Sequence, residues 1–367
     1  MNCRPPLSGN LSHTVRAAGL AALLFLSTAT TVAQPVPHVH LIATGGTISN
    51  RDGGRLTADD LAKSMTGLDR HARLTHEQFS NVASSQLTLD QWIKLSRRVN
   101  ELFASDSSLA GIVVTSGTDT LEETAFFLHL TVRDPRPVVV VGSMRNPSTL
   151  GYEGAANLLE AVRVAAEPAA RDKGTLVVLN DEINSARDVT KTDALRLQTF
   201  RSREYGQLGV VDRDRVVFFR ELLQRHTSRS EFDIEDLTDL PRVDVLMVYQ
   251  DAPGDLIKAA VDAGAKGLVI ATAGAGATSG TQGEGLDYAA RKGVFVVNST
   301  RTGSGRIAPP RSGAGPSGSK PTAAQQRRRQ FTIAAEDHAP LKARILLMLA
   351  LAKTDDRAEI QRMFSEY

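Results

Sequence analysis

The chain predicts a two-domain α/β architecture: a larger N-terminal domain on a doubly wound, mostly parallel sheet, and a smaller C-terminal α/β domain. Near-continuous apolar runs rich in β-branched residues at 39–43, 112–115, 138–141 and 175–179 have the composition of strands covered on both faces. Segments with apolar residues at helical spacing lie between them, so strand and helix alternate. The composition changes after Glu221, and a second strand–helix series begins at 243.

Arg4 and Arg16 precede an apolar run over 17–26, and Thr31-Val32-Ala33 offers small residues for cleavage. This is the pattern of a secretory signal peptide over 1–33, which predicts a periplasmic or secreted mature protein. The run is short for a membrane span, and no later segment approaches the roughly 18 apolar residues a span requires. Cys3, the only cysteine, lies inside this leader. The mature chain therefore has no disulfide, thiol nucleophile or thiolate metal site.

With 43 Lys and Arg against 41 Asp and Glu, the charge balance gives no reason to expect a nucleic-acid partner. The eight histidines form no H-x-x-x-H pair. His38 and His40 alternate on one strand face, but without an acidic or thiol partner close by, no metal is predicted.

In chain order, the strand at 39–43 opens the N-terminal domain, 34–224. Helices follow at 89–103 and 120–130, and Leu158, Leu159, Val162 and Ala166 repeat the helical spacing. Residues 225–238 are polar apart from Phe232, Ile234 and Leu237, so 225–242 reads as an interdomain linker. The C-terminal domain, 243–367, shows strands at 243–248, 267–271 and 294–297 and helices at 253–263, 285–291 and 341–352. Within it, 308–329 is rich in Pro, Gly, Ser and Arg with little to bury, which predicts a flexible surface insertion. Arg327-Arg328-Arg329 reads as a solvated basic loop.

Two short segments carry the chemistry. Ala43-Thr44-Gly45-Gly46-Thr47-Ile48 and Thr115-Ser116-Gly117-Thr118-Asp119-Thr120 each follow an apolar run and place a threonine just past a glycine turn. Such a threonine presents its hydroxyl at the carboxyl end of a strand, where open α/β sheets build their sites. Each segment alone also reads as a capped helix start. A threonine hydroxyl needs a base to become a nucleophile, and Lys191, shortly after the strand at 175–179, reaches the same sheet edge. Thr118, Asp119 and Lys191 then form one hydrogen-bonded group with Thr47 facing it.

These motifs resemble the bacterial-type L-asparaginase and glutaminase-asparaginase family, as do Gly142-Ser143-Met144-Arg145, the run from Lys342-Ala343-Arg344 to Leu351, and Ile360-Gln361-Arg362-Met363-Phe364. The resemblance covers nearly the whole mature chain except 308–329. It implies hydrolysis of L-asparagine, with glutamine as a second substrate, through a threonine-linked acyl intermediate without metal or organic cofactor. Thr47 is then the attacking residue, assisted by Thr118, Asp119 and Lys191. Ser85 and Gln86 hold the substrate's α-carboxylate and amino ends, and backbone amides near Gly46 and Gly117 are candidate oxyanion donors. A homotetramer built from dimers is implied, with a small amide as the partner molecule.

The chain also departs from that pattern. Ser116 stands where the family usually has histidine. The lid 50–57, NRDGGRLT, lacks the family's tyrosine and offers Arg55 to close over the substrate. An asparagine expected within 274–279 is absent. The glutamate that completes the site from a neighbouring subunit falls in 308–329, which has no acidic residue; Glu284 is the candidate replacement. Two other readings remain open at this point: a solute-binding protein that holds an amino acid without turnover, and a catalytically impaired homologue.

Overall fold

The computed structural model describes residues 36–309 and 321–367. The expected leader lies outside the described residues, and so does 310–320. The described residues belong to one compact unit, Val36–Tyr367.

The large sheet has eight strands in the spatial order Val216–Phe218, Gly209–Val211, Glu182–Ser185, Thr175–Leu179, Val138–Val141, Leu109–Thr115, His38–Gly45 and Arg73–Val82. The last five run parallel to one another, and the first three extend the sheet antiparallel. In chain order, the strand after His38–Gly45 pairs on one of its sides and the next, Leu109–Thr115, pairs on the other. That reversal is a topological switch point, and it opens a crevice at the carboxyl ends of these two strands.

Alternation along the parallel strands divides their side chains between two cores. Val39, Leu41, Val113, Val139, Val141, Leu176 and Val178 face a cluster completed by Leu158, Ala161 and Val162 of the helix Gly154–Ala166. Ile42, Ile112, Val114, Val138, Val140 and Val177 face the opposite cluster, with Leu95 and Val99 of the helix Leu89–Ser105 and Leu121 and Leu128 of Leu121–Thr131. At about 1.5–3 kcal/mol per fully buried large apolar side chain, these layers fix the strands whose ends carry the site. Thr88 and Gln91 cap Leu89–Ser105 reciprocally, satisfying donors its first turn leaves open.

Four parallel strands form the second sheet, Val243–Met247, Gly267–Thr272, Phe295–Thr300 and Thr332–Ala334. A third core joins it to the first domain, where Trp92, Phe126 and Phe127 meet Val269, Val297, Leu346 and Phe364. Phe232, Ile234 and Leu240 are buried in that core. Residues 225–242 are thus an anchored connection, because their few apolar side chains all have somewhere to go.

Three features differ from the sequence reading. Arg73–Val82 is a ten-residue strand with no apolar run; it occupies the sheet edge, where one neighbour suffices and polar residues are tolerated. The 308–329 stretch is not a flexible insertion throughout, since Ala323–Phe331 is a helix. Thr322 and Gln325 cap it, Arg328 pairs with Asp287 at 2.7 Å, and Phe331 packs edge-on against Phe295. The basic tract is therefore helical, its Ala, Gln and Arg residues being good helix formers. Finally, Arg357–Glu366 is a C-terminal helix that buries Ile360, Met363 and Phe364.

Candidate active site

The strand His38–Gly45 ends in two glycines with positive φ, Gly45 at 103° and Gly46 at 88°, a conformation with little cost for glycine and a high one for other residues. Space is a second constraint. A Cβ on Gly46 would lie 2.2 Å from the Gly117 nitrogen, and a Cβ on Gly45 would lie 2.6 Å from the Val82 nitrogen. A Cβ on Gly117 would meet the Ser84 hydroxyl at 2.8 Å. The three loops after neighbouring strands therefore pack backbone to backbone, which brings the two threonine turns together. Thr44 Oγ1 donates to the Thr115 carbonyl at 2.5 Å, and Thr44 N–H donates to Thr115 Oγ1 at 3.1 Å, so the strand ends are cross-tied just before the turns.

Thr47 begins a short 3-10 turn, Thr47–Ser49, and is half-buried. Thr118 is buried, and Lys191 Nζ donates to its Oγ1 at 3.1 Å and to Asp119 Oδ1 at 2.7 Å. The structure thus assembles Thr118, Asp119 and Lys191 from segments about seventy residues apart. The Asp119 side chain is 72% exposed and that of Lys191 16%, and such a pair adds little stability. Its effect is to hold the amine against the Thr118 hydroxyl. Lys191 lies on a two-residue strand, Thr190–Lys191, paired antiparallel with Phe200–Arg201.

Ser85 and Gln86 lie exposed in the 3-10 turn Ser84–Gln86 beside the same crevice. Ser84, which the sequence reading left aside, is buried, and its Oγ accepts from Thr120 N–H at 3.3 Å. Ser116 is fully buried and donates to the Gly117 carbonyl at 3.2 Å. Gly46 N–H donates to the Val82 carbonyl at 2.8 Å. That bond engages the Gly46 amide itself and leaves the neighbouring amides near Gly46 as the candidate oxyanion donors.

The lid is a small hairpin of Asn50–Arg51 and Gly54–Arg55. Arg55 Nη1 donates to the Gly46 carbonyl at 3.4 Å, and Asp52 N–H donates to Ser148 Oγ at 2.9 Å. The lid contains no tyrosine, but Tyr152 Oη donates to the Ile48 carbonyl, the residue after Thr47, at 2.9 Å. Burial and the nearby Glu153 push the Tyr152 phenol up to about 12, so it stays a hydrogen-bond donor at neutral pH. Glu284 is exposed in the first turn of the helix Gln282–Arg291.

The five parallel strands follow a flavodoxin-like order, and comparison with known proteins gives the family. The Asparaginase, N-terminal family model matches residues 38–224, and the Glutaminase/Asparaginase C-terminal domain model matches 242–364. The chain belongs to the asparaginase family. It is 42% identical over 344 residues to L-asparaginase 2 of Bacillus subtilis, covering 91% of this chain and 88% of that one. It is 36% identical over 365 residues to the glutaminase-asparaginase of Pseudomonas fluorescens, covering 95% and 97%. A solved structure described as a probable cytoplasmic L-asparaginase from Campylobacter jejuni superposes with a TM-score of 0.80 at 36% identity, covering 91% of this chain and all of the other. Asparaginases are amidohydrolases, and this chain is one of them. Its mixed α/β architecture, with a large N-terminal sheet and a separate small parallel sheet, is that of the family.

Proposed function

We propose that the protein hydrolyses L-asparagine, and glutamine as a second substrate, through an ester formed on Thr47. The observation that carries this reading is the Lys191 amine at 3.1 Å from the Thr118 hydroxyl and 2.7 Å from Asp119, in a turn packed on the one that bears Thr47. A receptor that only held an amino acid would have no use for a hydroxyl bonded to an amine in this way.

In the proposed reaction, Thr47 Oγ1 attacks the side-chain amide carbon and its proton passes to the departing nitrogen. The C–N bond breaks, ammonia leaves and an acyl ester remains on Thr47. Water then attacks the ester, and the water's proton is relayed along Thr118 and Lys191. That proton returns to Thr47 Oγ1 as the C–O bond breaks, giving aspartate and restoring the enzyme. Asp119 orients Lys191 and faces the substrate's amino group, Ser85 and Gln86 bind its α-carboxylate and amino ends, and Arg55 covers the crevice from the lid. With the Gly46 amide engaged, the Thr47 and Gly117 amides are the candidate oxyanion donors.

The leader-like pattern at 1–33 and the family resemblance support an exported homotetramer. Sedimentation of the mature protein checks the assembly. The activity is tested by following ammonia from asparagine and from glutamine with the purified protein. Saturable binding of either amide without steady ammonia release would overturn the reading.

A further inference from the structure

We propose that Glu122 and Lys342 are positioning residues that fix the segment carrying the Lys191 amine. The proposal rests on the catalytic reading of Lys191 given above. Residues 187–191 leave the sheet after Glu182–Ser185, and their regular pairing is limited to the two-residue strand Thr190–Lys191. A ladder that short is marginal as a support, and the segment's polar groups need partners wherever they are buried. Side chains from two other elements supply them.

Glu122 is buried in the first turn of Leu121–Thr131. Its Oε1 accepts from Lys191 N–H at 3.2 Å and from Thr190 Oγ1 at 3.1 Å. The turn that presents Thr118 and Asp119 leads directly into this helix. Both ends of the hydroxyl–amine contact are thereby referred to one rigid origin.

Lys342, on the helix Pro340–Lys353 of the second domain, is 2% exposed. Its ammonium donates to the Arg187 carbonyl at 2.8 Å and also to the Val189 carbonyl. Lysine is almost never so deeply buried without such partners. Burial pushes its amine down to about 8, with Glu122 and then Asp188 the leading charges that oppose the shift. Arg187 is in turn gripped by Asp337 through two bonds of 2.7 and 2.9 Å. The proposed reaction uses neither Glu122 nor Lys342, so their burial against this one segment is otherwise unaccounted for. Displacement of a catalytic group by about 1 Å costs on the order of 100-fold in rate, which sets the effect expected when the support is removed.

The test measures kcat and KM for asparagine, with thermal melting, on the full mature protein carrying Glu122→Ala, Glu122→Gln, Glu122→Asp or Lys342→Met, beside the wild type and Lys191→Met. Glu122→Ala should lower kcat by about 30- to 100-fold and leave KM within about threefold. Glu122→Gln keeps the accepting oxygen and should restore kcat to within about fivefold of wild type, a rescue that a purely structural role for the charge would not produce. Lys342→Met, which keeps the apolar stem, should lower kcat by about tenfold or more at similar KM. If Glu122→Ala does not fold, Glu122→Asp replaces it, since withdrawing the oxygen by one methylene should still lower kcat. The proposal is overturned by wild-type kcat in the Ala or Asp variant, by a Gln variant as impaired as Ala, or by losses confined to KM. Absence of ammonia release from the wild type, or full activity in Lys191→Met, would instead overturn the catalytic reading beneath it.

Discussion

Thr47 and Thr118 each follow a buried parallel strand and a glycine, and each starts the connection to the next element, yet the two hydroxyls sit in opposite surroundings. Thr118 is buried and accepts a hydrogen bond from Lys191. Thr47 is half-buried, under a hairpin lid, after two glycines of positive φ. Among the described residues, no side-chain hydrogen bond engages its hydroxyl. The same local signal therefore yields one hydroxyl held by the fold and one left available to a ligand. The difference comes from what the sheet places beside each turn.

The sharpest way to break this contrast is to remove its two ends. Thr47→Ala and Lys191→Met should each lower kcat for asparagine by about a thousandfold or more while circular dichroism and melting stay close to wild type. Near-normal ammonia release from either variant would leave the division of roles without support.

Next comes the contact that brings the turns together. Gly46→Ala places a Cβ 2.2 Å from the Gly117 nitrogen at a φ of 88°. Backbone strain alone should cost about 1–3 kcal/mol, and the clash must separate the two turns. Reduced melting temperature together with lost activity is expected; a stable, active alanine variant would show that the close approach is dispensable.

A third test contrasts the solvent-reached crevice with the sealed core. Burial, and then the charge of Arg229, pushes His226 down to about 4; burial, and then Arg187, pushes His338 down to about 3. The unfolded chain takes up these protons near pH 6.5, so it binds more protons than the folded chain between that pH and the folded values. The stability the neutral rings contribute is thus complete above pH 6.5 and lost as the pH falls through about 4 and about 3. Melting temperature should fall across this window, and less steeply in His226→Gln. A wild-type melting temperature that does not change between pH 6.5 and 4 would contradict the assignment.

The smallest effect belongs to the lid. Arg55 touches the Gly46 carbonyl only at 3.4 Å, so Arg55→Ala should raise KM by about two- to fivefold with kcat little changed, less than 1 kcal/mol of binding. A large drop in kcat with unchanged KM would move Arg55 from cover to chemistry.

Much of this was legible in the chain because the strands at 138–141 and 175–179 are buried on both faces, which leaves an unbroken apolar run. Arg73–Val82 was not, since an edge strand needs no such run, and the helix Ala323–Phe331 was hidden by a composition dominated by Gln and Arg. In the site, Thr47, Thr118, Asp119 and Lys191 stood out by their motifs. The roles of Ser84, Tyr152, Glu122 and Lys342 were not legible even where a motif contains the residue, because a buried hydroxyl or charge declares its role only through the group it meets. For Glu122 that group is 69 residues away, and for Lys342 it is 155.

The sequence by itself determined the alternation of strands and helices, the glycines that permit the turns, and the residue types able to run amide hydrolysis, since periodicity, φ preference and chemical function belong to individual residues. Only the tertiary structure decided which hydroxyl is held and which is available, that the Gly46 amide is already engaged, and that a glutamate and a buried lysine from separate elements grip the Lys191 segment. Those are properties of contacts between chain segments far apart in sequence, and they exist only once the sheet order and the packing of the two domains bring the segments together.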